Sequence, residues 1–259
     1  MMSVFDKFNL TGNVSVVTGA AAGLGKAMAR ALGQAGSKVV IWDLNGPKAE
    51  ETAEAFRSEG IEAVAVRADV TKPDEIASAV GQIMDRFGRI DALFNNAGIT
   101  LHKNAEDVTL EEWHRVMDVN LTSVFMMSQA VGRIMIRQKK GSIVNTSSMS
   151  GLIVNTPQNQ ASYNVSKAGV IMLTRSLAVE WARHNIRVNT IAPGYMKTEM
   201  TAPFFEAGGP MVEKWMGLTP MGRPGNPEEL GGMAVYLASD ASSFVTGGVF
   251  VIDGGYTAL

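Results

Sequence analysis

The stretch VVTGAAAGLGKAMARAL, residues 16–32, passes from a β-branched run through a glycine-rich turn into an alanine-rich helical pattern. It sets Gly19, Gly23, Leu24 and Gly25 between a first strand and a first helix. A backbone that must approach a pyrophosphate closely needs glycine there, and the helix N-terminus adds amide donors and the positive end of its dipole. Any tight strand-to-helix turn also favours glycine, so the turn alone leaves nucleotide binding open. The next β-branched run, KVVIWD (38–43), narrows the reading, because it ends at Asp43, 18 residues beyond Gly25. That is near the ~20-residue offset at which a carboxylate accepts hydrogen bonds from an adenosine ribose. Asp43 repels a 2′-phosphate, no Lys or Arg follows it in DLNG, and Ala22 stands where a basic residue would help hold that phosphate. The expected cofactor is NAD rather than NADP; the competing reading makes Asp43 a helix cap.

Outward from this stretch, short apolar runs alternate with longer helical patterns. Besides VSVVTG (14–19) and KVVIWD, they are EAVAVRADV (62–70), RIDALFNNAG (89–98), GSIVNTSS (141–148), IRVNTIAPG (186–194) and VFVIDGG (249–255). Most are apolar throughout instead of alternating, as strands covered by helices on both faces must be. The pattern predicts a doubly wound α/β fold of Rossmann type with a seven-stranded parallel sheet. Between the fourth and fifth runs, residues 109–137 read as one helix: Thr109 and Glu112 resemble a capping box, and Trp113, Val116, Met117, Val124, Val131 and Met135 make one apolar stripe. No repeat or Pro/Gly/Ser-rich linker divides the chain, so residues 1–259 are expected to form one domain. The longest irregular stretch, 199–227, holds five prolines with apolar residues between them and is expected to be a substrate-binding lid.

Composition limits the chemistry. The chain has 259 residues, 46% of them hydrophobic, and a net charge of −2 without any long run of one sign, which argues against a nucleic-acid or anionic-membrane surface. A cytoplasmic protein is expected, since the start resembles no signal peptide and no stretch is apolar enough to span a bilayer. With no cysteine there is no thiolate ligand or nucleophile, and His102, His114 and His184 lack metal-ligand spacing, so no metal is expected.

In SYNVSKAG (162–169), Tyr163 and Lys167 stand four residues apart on one helical face that continues through Val170, Thr174, Leu177 and Trp181. The plain reading is a packed tyrosine beside a snorkelling lysine. The chemical reading is that the cation favours phenolate and lowers the Tyr163 pKa, fitting it to trade a proton with a substrate oxygen.

Taken together, TGAAAGLG (18–25), DV (69–70), NNAG (95–98), Asn120, SS (147–148), YNVSK (163–167) and PGYMKT (193–198) resemble the short-chain dehydrogenase/reductase family over essentially the whole chain. The resemblance implies that Tyr163 is the acid/base and that Lys167 tunes it and holds the nicotinamide ribose. It further implies that Asn120 positions a water in a proton relay, that Asp69 and Val70 flank adenine, and that Asn96, Ala97 and Gly98 line the cofactor beside the sheet. Pro193, Gly194, Met196 and Thr198 hold the nicotinamide end by the same resemblance. Asn120 has a plainer reading too, as an Asn satisfying nearby backbone groups.

Many family members place the catalytic serine 13 residues before the tyrosine, which selects Ser150; register from the strand end selects Ser148, the expected catalytic serine. The segment SGLIVNTPQNQASY (150–163) is then longer by about two residues, as in the polyol (sugar-alcohol) dehydrogenase branch, where the added turn contributes to the substrate pocket. Ser150, Asn155 and Gln160 are the candidate contacts to substrate hydroxyls beside Ser148 and Tyr163; the alternative is an ordinary polar loop. The implied function is oxidation of a polyol to a ketose with NAD. The competing readings are reduction of a 3-oxoacyl thioester or cyclic ketone, which the apolar Phe204, Phe205, Met211 and Trp215 suit, and a non-catalytic NAD-sensing protein. The sixteen methionines read as core and helix-interface filler, and the resemblance implies a homotetramer.

Overall fold

Seven parallel strands form the centre of the computed structural model, which describes residues 3–199 and 201–259. They are β1 (Val14–Thr18), β2 (Lys38–Asp43), β3 (Ala63–Arg67), β4 (Ala92–Asn95), β5 (Gly141–Thr146), β6 (Ile186–Pro193) and β7 (Val249–Ile252), in the order β3-β2-β1-β4-β5-β6-β7. Helices α1 (Gly23–Gln34), α2 (Gly46–Ser58) and α3 (Pro73–Phe87) follow the first three strands. Next come α4 (Leu110–Met117), α5 (Ser123–Gln138), α6 (Ala161–Trp181), α7 (Ala202–Ala207), α8 (Pro210–Gly217) and α9 (Gly231–Ala238).

The strands are apolar throughout because both faces are covered. Val17, Ile41, Phe94 and Ile191 pack with Met28 and Leu32 of α1, Phe56 of α2 and Leu237 of α9. Val16, Trp42, Leu93 and Val188 point the other way, onto Ile83 of α3, Val131 and Met135 of α5 and Leu177 of α6. The chain reverses direction across the sheet at β1, so the carboxyl ends of β1 and β4 diverge into a crevice, the place where open parallel sheets bind ligands.

Several boundaries fall short of the apolar runs. β3 stops at Arg67 because the Trp42 indole donates to the Ala68 carbonyl and Asp69 starts an Asx turn on Thr71. β4 stops at Asn95 because the Asn96 and Ala97 amides both donate to Thr18 Oγ1 and not along the ladder. The capping box expected at Thr109 and Glu112 is present with both its bonds. The helix it starts is not continuous, however: residues Asp118–Thr122 widen into a π turn between α4 and α5. The expected irregular lid also contains α7 and α8, both begun on a proline in the first turn, where its missing N–H costs nothing. Met200, within that stretch, lies outside the described residues. Among the described residues no helix is long and apolar enough to cross a membrane.

Candidate active site

At the crevice, the turn after β1 is shaped by what it excludes. Gly19 has φ +62°, and a Cβ there would stand 3.0 Å from the Ala97 Cα. A Cβ on Gly25 would strike the Gly19 carbonyl oxygen and lie 2.6 Å from Asn96 Nδ2. The Asn96 amide explains that crowding, since it donates to the Thr18 and Gly19 carbonyls at 3.1 and 3.2 Å and staples the NNAG segment to the end of β1. Leu24 turns away and packs against the α1 core. What remains is bare backbone at a helix N-terminus, the form a pyrophosphate cradle requires.

Asp43 completes the fit to a dinucleotide. Its Oδ2 accepts from Ala21 N in the glycine-rich turn at 3.0 Å, and its Oδ1 accepts from Asn45 N at 2.9 Å. The cap of α2 is Asn45, which accepts from Lys48 N, so Asp43 is not the helix cap. Thr198 also reaches this turn, its methyl carbon 3.6 Å from where a Cβ on Gly23 would be.

Other sequence-predicted cofactor residues are placed less openly. One Asp69 oxygen is taken by Thr71 N and Oγ1 at 2.8 Å each, and the Val70 side chain is buried in the core beneath α3. Pro193 closes β6 in register with Ile252, and Gly194 allows close passage of Asp253, whose Cα would be 2.7 Å from a Cβ there. The Met196 side chain is core, and its carbonyl accepts from Thr201 Oγ1. Its backbone bridges to Gly225, so any contact of Met196 with the cofactor would come from the main chain.

Tyr163 and Lys167 stand on consecutive turns of α6, with the Lys167 ammonium 5.6 Å from the Tyr163 ring centre. Lys167 is 4% exposed, donates to the Thr146 carbonyl at 2.9 Å, and is pushed down to about 8 by burial. Tyr163 keeps part of its surface open, yet desolvation pushes its hydroxyl up, while the neighbouring Ser148 hydroxyl pulls it back. In place of the expected lowering of Tyr163 by Lys167, desolvation dominates in this structure and pushes the phenol up, with the ammonium donating to the Thr146 carbonyl.

Ser148 follows the end of β5, and its Oγ also accepts from Ser150 N at 3.1 Å. Ser150 Oγ points elsewhere, donating to Asn155 Oδ1 at 2.8 Å. Asn120 occupies the π turn and is fully buried. Its Oδ1 accepts from Ile99 N, and its Nδ2 donates to the Ile99 carbonyl and to Ser166 Oγ. Both side-chain donors are spent, so the amide fixes the segment after β4 against α6. Gly98 lies between the two, since a Cβ there would be 3.3 Å from Asn120 Oδ1 and 3.4 Å from Lys167 Nζ.

Ser150, Asn155 and Gln160 are brought together, but chiefly with one another. Gln160 Nε2 donates to Ser150 Oγ, Asn155 Oδ1 and Asn164 Oδ1, and all three expected hydroxyl contacts are buried. Their polar groups are spent largely on one another in this structure. The network ends on Tyr195, whose hydroxyl accepts from Asn155 Nδ2 at 2.8 Å and Gln158 Nε2 at 3.0 Å. Burial pushes that phenol up to about 12. Its ring stacks on Trp215 of α8 at 4.3 Å, and Trp215 in turn donates to Gln158. In the sequence Tyr195 stands only within PGYMKT, and because its partners are distant in the chain no spacing signal marks it.

Residues 19–257 match a family model described as enoyl-(acyl carrier protein) reductase. The chain is 44% identical over 260 residues to sorbose reductase SOU1 of Candida albicans, covering 98% of this chain and 90% of that protein. It is 44% identical over 257 residues to a galactitol 2-dehydrogenase of Rhizobium johnstonii, covering 99% of each. Its fold matches a gluconate 5-dehydrogenase from Burkholderia cenocepacia, solved in complex with NADP and tartrate, with a TM-score of 0.92, 37% identity and coverage of 99% and 100% of the two chains.

Proposed function

The chain belongs to the short-chain dehydrogenase/reductase family, and we propose that it interconverts a polyol or sugar alcohol and the corresponding ketose with a nicotinamide cofactor, NAD in preference to NADP. The observation that carries this reading is the Ser148–Tyr163 hydroxyl pair beside the buried Lys167, at the mouth of a glycine cradle ending on Asp43. The cradle backbone of Gly19, Gly23 and Gly25 would hold the pyrophosphate, Asp43 the adenosine ribose, and Lys167 the nicotinamide ribose. When bound, the nicotinamide supplies or accepts hydride.

The protein's own task is the proton. In ketone reduction, the substrate oxygen gains a proton from the Tyr163 hydroxyl, which burial keeps protonated, while Ser148 orients the same oxygen. In alcohol oxidation, Tyr163 must first lose that proton, and the Ser148 hydroxyl and the Lys167 ammonium are the groups adjacent to steady the phenolate. Ser150, Asn155 and Gln160 hold the serine loop in shape, and residues 199–227 act as the lid over a single domain. The relatives reduce or oxidise sugars and sugar alcohols, as their names state. Of the four apolar residues that suited a thioester reductase, two are engaged in packing, Trp215 stacked on Tyr195 and Phe205 edge-on to Trp215, while Phe204 is exposed.

Exposed apolar side chains on α5 and α6, among them Phe125, Val165, Met172 and Val179, support assembly with further copies of this chain into a homotetramer. The functional reading is tested by initial rates on a panel of hexitols, pentitols and keto sugars with each cofactor. The expected result is turnover of at least one polyol–ketose pair and a kcat/KM for NAD at least about tenfold that for NADP, since one repulsive contact of ~1.4 kcal/mol suffices. Failure to turn over any sugar while reducing a 3-oxoacyl thioester would overturn the substrate class, and equal use of the two cofactors would overturn the preference.

A further inference from the structure

An ion pair between residues 151 positions apart crosses the crevice mouth beside Asp43. Lys48 lies in the first turn of α2, three residues after the Asn45 cap, and its Nζ donates to Glu199 Oε2 at 2.6 Å. Glu199 follows Thr198, the residue that lies over Gly23. The pair therefore ties the start of α2 to the segment covering the glycine-rich turn. Both side chains are well exposed, 40% and 58%, so little free energy separates the closed pair from the open one.

The charges around it point to the adenosine end of the cofactor. The hydrogen bond to Glu199 raises the Lys48 pKa most, and the nearby carboxylates of Glu51 and Asp43 add to the effect. Glu199 is held below its usual range first by Lys48, with Lys26 of α1 contributing. Lys48 is thus a cation within the field of Asp43, the carboxylate proposed to meet the adenosine ribose, and it is held by a carboxylate on the opposite lip. An ammonium on a flexible four-carbon stem can change partners.

We propose that Lys48 and Glu199 determine cofactor selectivity: Glu199 sequesters the Lys48 ammonium, and Lys48, when released, is the cation that neutralises a 2′-phosphate beside Asp43. Selectivity is then a competition between Glu199 and the phosphate for one lysine. This gives the Asp43 site a graded preference for NAD instead of an absolute one. The inference rests on the dinucleotide reading of the crevice.

The experiment measures dissociation constants of NAD and NADP separately, by calorimetry at low and high salt, on the full chain and on Glu199→Gln, Lys48→Met and the double variant. Glu199→Gln is expected to tighten NADP about fivefold, the scale of one exposed charge pair, with NAD changed less than about twofold. Lys48→Met should weaken NADP alone, and the double variant should lose the gain of Glu199→Gln. The gain should shrink at high salt. An unchanged NADP-to-NAD ratio in Glu199→Gln would overturn the proposal, as would equal shifts for both cofactors or a gain that survives in the double variant. Failure of the wild-type chain to bind either dinucleotide would instead overturn the crevice reading itself.

Discussion

Replacing Lys167 by methionine removes an ammonium that the fold buries at a cost. The group falls from 10.5 to about 8 through burial, which at about 1.4 kcal/mol for each tenfold change in proton affinity amounts to roughly 3 kcal/mol of destabilisation at neutral pH. Methionine is unbranched, similar in length and free of donors, so it fills the same space dry. It leaves the Thr146 carbonyl without its 2.9 Å partner, a loss of about 1 kcal/mol. The net expectation is a variant about 2 kcal/mol more stable at pH 7. At ~2–4 °C per kcal/mol for a chain of this size, that is a Tm higher by roughly 4–8 °C. The sign of the pH dependence follows from proton counting. Below about pH 8 the lysine is charged both folded and unfolded, and the full penalty is present. Between about 8 and 10.5 the folded form gives up its proton first, so the unfolded chain binds more protons and wild-type stability rises with pH. Calorimetric unfolding at equal protomer concentration, at pH 6.5, 8 and 9.5, should show the gap between variant and wild type narrowing upward. A variant less stable than wild type at pH 7, or a gap independent of pH, refutes the claim that Lys167 is held at the expense of stability.

Tyr163→Phe should lower turnover by roughly 10²- to 10⁴-fold while dinucleotide affinity is retained, measured by steady-state rates and by fluorescence titration; near wild-type turnover would mean that the proton is handled elsewhere. Gly25→Ala pushes a methyl group into the Gly19 carbonyl and the Asn96 amide, so denaturant unfolding should show a loss of about 1–3 kcal/mol accompanied by weaker dinucleotide binding. Tyr195→Phe removes the acceptor shared by Asn155 and Gln158; a stability loss of about 1–3 kcal/mol and a raised KM for the sugar, with unchanged NAD affinity, are expected from the same assays. Val179→Glu puts a charge on a side chain that is 82% exposed on α6, and sedimentation should show smaller assemblies than wild type if that face meets another copy.

Much of this protein was legible locally. An apolar run covered on both sides looks different from one covered on one side, so the seven strands and their parallel sense followed from patterns such as VVTG and KVVIWD. The glycine-rich turn followed from the intolerance of a close approach for any Cβ, and the shared face of Tyr163 and Lys167 from helical spacing alone. Boundaries such as the end of β3 at Arg67 did not, because they depend on where a distant Trp42 indole or Thr18 hydroxyl takes up a backbone group. Proton affinities belong to the tertiary structure as well: the i, i+4 pair suggested a lowered tyrosine, whereas burial of both groups against β5 pushes the phenol up and the ammonium down. Register from the strand end pointed to Ser148 over Ser150, and only the folded loop commits the Ser150 hydroxyl to Asn155. The Lys48–Glu199 pair and the Tyr195 cluster join segments far apart in the chain, and their charges and hydroxyls act on one another only because the sheet order brings β2, β6 and the loop after β5 to the same end of the crevice.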